Sequence, residues 1–168
     1  NSGEINIMNA IDQLEGQYNL VFGDSIRKQY RDDILRIFAG GTDSDSDPMV
    51  ISDPSIMNIY GLYYQYVTKD FLRARKSFLS AVEKKNADAM NNLASYYLNV
   101  DQNLDLAKVY YQCASKFGHS VAMNNLGLFY QHQEHNYQQA SNFFQQAIDA
   151  GNLEALNNLG VYHEIIDK

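Results

Sequence analysis

Apolar residues recur along most of this chain at intervals of three and four, the spacing that lines one face of an α-helix. Ile5, Met8, Ile11, Leu14, Tyr18, Val21 and Phe22 predict an amphipathic helix over residues 4–22. Ile26, Tyr30, Ile34, Ile37 and Phe38 predict a second over 25–38, capped by Asp24 or Ser25. The pattern then lapses. Gly40-Gly41-Thr42-Asp43-Ser44-Asp45-Ser46-Asp47-Pro48 reads as a flexible acidic linker, ending where Asp53-Pro54 supplies an N-cap and a first helical residue.

From residue 54 the pattern repeats itself with a period of 33. Met90-Asn91-Asn92-Leu93-Ala94-Ser95-Tyr96-Tyr97 returns as Met123-Asn124-Asn125-Leu126-Gly127-Leu128-Phe129-Tyr130 and as Leu156-Asn157-Asn158-Leu159-Gly160-Val161-Tyr162-His163. A diverged copy begins at Met57-Asn58. Each period predicts two helices. The first of each pair covers about 55–67, 88–98, 121–132 and 154–166, and the second about 70–84, 104–117 and 137–150. Ala74, Phe78 and Ala81, with their equivalents Ala107, Tyr111, Ala114 and Ala140, Phe144, Ala147, make a small-large-small stripe on one inward face. Gly61, Ala94, Gly127 and Gly160 fall inside first helices, where glycine costs up to about 1 kcal/mol, so their recurrence needs a packing reason. Close approach to the alanines at 74, 107 and 140 is the expected one. Gly118 and Gly151 stand where a left-handed residue would end the second helix, with Asn86 in a neighbouring position in the first period.

The resulting organisation is an N-terminal helical pair (1–39), a linker (40–53) and a repeat array (54–168) of three full helix pairs plus a final first helix. The fold class is all-α, a right-handed α-α superhelix of antiparallel pairs. An isolated pair cannot bury its apolar face, whereas stacked pairs build a curved solenoid lined on its concave side by first helices. Val161, Ile165 and Ile166 then lack part of their cover, so the array is expected either to continue or to be covered by another surface, such as the N-terminal helices of a neighbouring copy. The chain begins Asn1-Ser2-Gly3 without a Met, which suits an excised fragment.

Composition narrows the possibilities. The 168 residues are 45% hydrophobic and 20% charged, with no stretch long enough for a membrane span, which suits a globular chain. Thirteen Lys and Arg against 20 Asp and Glu leave a formal charge of −7, which disfavours nucleic acid and anionic membranes as general partners. One cysteine, Cys113, excludes an intramolecular disulfide and fits a reducing, cytoplasmic setting; beside the aromatic stripe it reads as a small buried hydrophobe.

The run from Ala147 to Gly160, with Ala147, Gly151, Ala155 and Asn158-Leu159-Gly160, resembles the Sel-one-like repeat, a relative of the tetratricopeptide repeat. Ala114, Gly118 and Asn125-Leu126-Gly127 match in the same way, and the resemblance covers residues 55–168. The family's Gly-x-Gly-Val turn between paired helices is absent, which shortens the unit to 33 residues. The ankyrin Thr-Pro-Leu-His turn is absent as well. The cysteine-rich branch of the family, for which β-lactam binding has been proposed, carries a disulfide in each repeat, and the lone Cys113 does not inherit that activity. What the resemblance implies is a protein-interaction scaffold or adaptor whose groove receives a partner protein or peptide.

The paired asparagines 91/92, 124/125 and 157/158, with Asn58, form a ladder of amides able both to donate and to accept. One reading has them grip the backbone of a bound peptide. The other has one column hydrogen-bond backbone between neighbouring repeats. In either role Asn92, Asn125 and Asn158 are expected to matter more. By tetratricopeptide analogy the groove also presents Leu62, Tyr66, Ser95, Asn99, Leu128, His132, Val161 and Ile165. No Lys or Arg lies in any first helix, against a clamp for a terminal carboxylate. Lys69, Arg73, Arg75, Lys76, Lys84 and Lys85 cluster on one second helix, as a solvated face or as a site for an acidic partner, the chain's own linker included.

His132 and His135 invite a metal reading that lacks a third ligand nearby in sequence, so no metal and no cofactor are expected. No Gly-rich phosphate loop, nucleophile elbow or Ser/His/Asp set is present, so the expectation is not an enzyme. A hydrolase or ligand-binding enzyme using the groove remains an alternative. Another is a structural protein self-assembling through the N-terminal helices or the C-terminal repeat edge.

Overall fold

The computed structural model describes the backbone of residues 2–40 and 51–166 and the side chains of residues 10–40 and 51–160. Most of the acidic linker, and the side chains of Val161, Ile165 and Ile166, lie outside the described residues. Among those described, every regular element is helical: α1 (Ser2–Tyr18), α2 (Asp24–Gln29), α3 (Arg31–Phe38), α4 (Pro54–Tyr63), α5 (Phe71–Glu83), α6 (Ala87–Asn99), α7 (Leu104–Lys116), α8 (Ser120–His132), α9 (Tyr137–Asp149) and α10 (Glu154–Ile166). They fall into two compact units divided between Asn86 and Ala87.

In the first unit, α1–α3 surround a small core of Ile11, Leu20, Phe22, Ile26, Ile34 and Ile37. Phe38 joins it to α4: its ring lies 5.3 Å from that of Phe22 and 5.7 Å from that of Tyr63, edge-on to both. Edge-to-face geometry at these separations sets the positive rim of one ring against the negative face of the other. Arg27 bridges Asp12 and Glu15. Burial raises the Glu15 carboxyl above the ordinary carboxylate range, against the pull of the Arg27 guanidinium.

Two expectations change here. The single helix over 25–38 is two, broken at Tyr30 (φ −121°, ψ 23°), whose hydroxyl donates to Asp53 Oδ2 at 3.0 Å. Its N-cap is Gly23, with no side-chain cap, in place of Asp24 or Ser25. The first helix ends at Tyr18, because Asn19 turns left-handed (φ 53°) and takes Leu20 to Phe22 out of the helix.

Asp53 caps α4 as its sequence suggests, accepting from Ser55 N–H at 2.8 Å, with Pro54 in the first turn. Past Tyr63 the helix widens into a π-helical segment, Tyr64–Thr68, before the turn to α5. Paired helices recur in the second unit as α6–α7 and α8–α9, with α10 against α9.

The turns explain the 33-residue unit. Lys69, Gln102 and His135 are left-handed (φ 59°, 52° and 51°), and each precedes a capping residue. Asp70, Asn103 and Asn136 then accept from the backbone N–H three residues on, at 3.1, 3.1 and 3.2 Å. One left-handed residue and one short capping side chain reverse the chain without a glycine-rich turn. The second helices end in Schellman motifs. His119 N–H donates to Ala114 O at 3.1 Å and Gly118 N–H to Ser115 O at 2.9 Å, with Asn152 to Ala147 and Gly151 to Ile148 at 2.8 and 2.9 Å. In the first period Asn86 N–H donates to Ala81 O and Lys85 N–H to Val82 O, so the left-handed residue is Lys85 (φ 62°), the position next to Asn86.

The glycine of the first helix proves to face an aromatic ring. A Cβ on Gly127 would lie 2.5 Å from Phe144 Cε1 and 2.6 Å from Cδ1, with Ala140 O at 3.2 Å, and a Cβ on Gly61 would meet Phe78 at 2.5 and 2.6 Å. The stripe aromatic, more than the alanine expected from the sequence, demands glycine. The middle period solves the contact differently: Ala94 faces Tyr111, whose hydroxyl lies 2.8 Å from Ser95 Oγ. Gly118 and Gly151 differ from these in kind, since their need is a positive φ (83° and 94°) and no atom crowds them.

Leu126, fully buried in the cluster of Ala94, Tyr111, Tyr130 and Phe144, sets the scale of this packing. Leu126→Ala is expected to cost about 2–5 kcal/mol in a denaturant titration, and Gly127→Leu more than Gly127→Ala. A change near zero at Leu126 contradicts the inward face described here.

Candidate functional site

The asparagine ladder is a set of rungs between successive first helices of the second unit. Asn125 Nδ2 donates to Asn91 Oδ1 at 3.0 Å, and Asn158 Nδ2 donates to Asn124 Oδ1 at 2.8 Å. Each rung joins the second asparagine of one repeat to the first asparagine of the repeat before. Asn91 and Asn124 are accordingly buried, whereas Asn92, Asn125 and Asn158 are half-buried and Asn157 is exposed. Two amides meeting side by side satisfy a donor and an acceptor that would otherwise be costly to desolvate. The partners are side chains, where the structural reading of the sequence had put backbone. Asn58, in the first unit, is fully buried.

The remaining groove candidates divide by exposure. Leu62 is buried and Tyr66 half-buried, and burial raises the Tyr66 phenol above its ordinary value. Ser95 is half-buried, with its hydroxyl on Tyr111. Leu128 is half-buried against the core of the second unit. Asn99 and His132, one period apart at the ends of α6 and α8, are exposed. His135 occupies the left-handed turn position with its ring 6.5 Å from that of Tyr137, and no three His, Cys, Asp or Glu among the described residues are grouped to hold a metal. Cys113 is half-buried rather than buried.

Two further links between repeats escaped the sequence. His119 caps α8 by accepting from Ala122 N–H through Nδ1 at 3.1 Å, which leaves the ring proton on Nε2 to bond Asp88 Oδ1 at 2.8 Å. The equivalent Asn86 donates from Nδ2 to Ser55 Oγ at 3.4 Å within the first unit, and Ser55 is one period before Asp88. The second link is Lys108, whose ammonium lies 2.6 Å from Glu134 Oε1 and 4.9 Å from the centre of the Tyr130 ring. The hydrogen bond to Glu134 holds that ammonium above its ordinary pKa. The only sequence signal for either link is a carboxylate, or another short polar residue, near one period from a donor.

The chain superposes on the crystal structure of a Sel1 repeat protein from Oxalobacter formigenes with a TM-score of 0.57 over 83% of its length, at 21% sequence identity. The fold is that of a Sel1-like repeat protein. The match spans 57% of the length of that protein. No protein-family model matches the sequence, and no curated protein matches it. In the second unit of this Sel1-like fold, amide rungs and a capping side chain join one repeat to the next beside the apolar core. Among the described residues, no helix is long and apolar enough to cross a membrane.

The rung at His119 yields a direct test. His119→Ala removes both the cap and the bond to Asp88 and is expected to cost about 1–2 kcal/mol. His119→Asn, which places the residue found at 86 and 152, is expected to cost less than half as much in the same chemical denaturation experiment. Equal losses for the two variants contradict the capping role.

Proposed function

We propose that this chain is a protein-interaction scaffold, and that in its second unit the surface of the first helices α6 and α8 receives a partner protein or peptide. The observation that carries this reading is the division of labour in the amide ladder. Asn125 and Asn158 each donate an N–H to the preceding repeat, yet both stay half-buried and not fully enclosed. Beside them lie half-buried Leu128 and Asn92 and exposed Asn99 and His132. A row of side-chain amides with an apolar contact and no fixed charge suits the backbone of a bound peptide. The shared fold of the Oxalobacter formigenes protein supports a scaffold over a catalyst, since repeat arrays present extended surfaces rather than closed clefts.

The reading extends to organisation. Residues 54–168 form the repeat array and residues 1–39 its N-terminal cap, with Phe38 against Tyr63 as the supporting contact. Terminal caps keep the apolar edge of such an array from water.

Substituting the asparagines would confound binding with stability, so the test uses the exposed column. A photo-crosslinking side chain at Asn99 or His132, in a lysate of the native host, is expected to capture one and the same protein. The same group at Asn142 or Gln145, exposed on α9, is expected not to capture it. Capture only from α9 contradicts the proposal.

A further inference from the structure

We infer that the outer face of α5 is a second docking surface, for an acidic segment of a partner protein that also carries apolar side chains. Residues 69–85 hold six of the thirteen basic residues, with only Asp70 and Glu83 as acids, in a chain of net charge −7. Helical spacing brings Leu72, Arg73 and Lys76 to one side of α5 and continues that side to Lys84, and all four are exposed. Arg73 pairs with Asp70 at 3.5 Å on the surface. Among the described residues no carboxylate pairs with Lys76, Lys84 or Lys85.

Charge alone would describe a solvated face, and two observations go beyond it. Leu72, on the same side as Arg73 and Lys76, is 58% exposed, so a large apolar side chain sits among the cations. A partner segment mixing carboxylates with apolar residues matches both features, while nucleic acid would use only one. The other observation is Lys85. It holds the left-handed position that ends the second helix, where the next two periods place Gly118 and Gly151. A side chain there carries a conformational cost that glycine avoids. The helix dipole favours a cation at this end and accounts for Lys84, and Lys85 adds a second cation where the next two periods have none. This inference does not rest on the reading of α6 and α8.

The test is fluorescence anisotropy on the full chain with a labelled peptide rich in glutamate and carrying leucines at helical spacing. Binding is expected, and it should weaken about tenfold when Lys76→Glu and Lys84→Glu are combined, with helical circular dichroism unchanged. Leu72→Ser should weaken it without altering its salt dependence. Lys85→Gly should raise the unfolding midpoint while weakening the peptide. Equal binding by the wild type and the charge-reversed chain overturns the inference, as does tighter binding of single-stranded RNA or of phosphatidylserine vesicles.

Discussion

The ring of Phe144 occupies the space where a side chain at residue 127 would begin, and the pairing of helices follows from that contact. A separation of 2.5 Å between a would-be Cβ and the ring admits only glycine, so α8 rests its backbone on the face of α9. Such an approach removes backbone and ring together from water and leaves little freedom in how the two helices cross. Phe78 and Gly61 make the same contact within the first unit. Where alanine replaces glycine, at 94, the aromatic is Tyr111, and its hydroxyl finds Ser95. The three periods therefore hold two matched solutions to one packing problem, each needing both of its members.

Once the pairs are fixed, polar side chains set how the repeats of the second unit register on one another. The amide rungs from Asn125 to Asn91 and from Asn158 to Asn124 act at the middle of the first helices, and the His119–Asp88 bond acts at their N-terminal ends. Apolar contact tolerates sliding, whereas an unmet amide in a desolvated seam does not. The same residues that give the surface its polarity thus hold it together.

Much of this could be read from the sequence because the period multiplies each weak signal. One glycine after a helix says little, but Gly118 and Gly151 at equal spacing identified the left-handed ends. The alanine and aromatic columns identified the inward face, which holds at Phe78, Tyr111 and Phe144. Outside the period that support vanished. The break at Tyr30 and the early end of α1 at Asn19 rest on a hydroxyl reaching Asp53 and on one left-handed residue, neither of which alters the apolar spacing. The target of the asparagines was illegible for another reason. Which amide faces which depends on the crossing of two helices, and the sequence fixes only that both amides are present. Glycine's partner was misjudged likewise, since alanine and aromatic lie on one stripe and only the depth of approach decides between them.

The claim that an aromatic ring dictates glycine in the first helix is tested most directly by changing residue 127 in two backgrounds. In the wild type, Gly127→Ala should destabilise, because the new methyl group meets the Phe144 ring. In a Phe144→Leu background, which withdraws the ring edge, the same change should become neutral or stabilising by up to about 1 kcal/mol, the intrinsic helical advantage of alanine over glycine. An equal loss in both backgrounds would mean that the ring does not set the contact, and that helix pairing in this protein rests on something else.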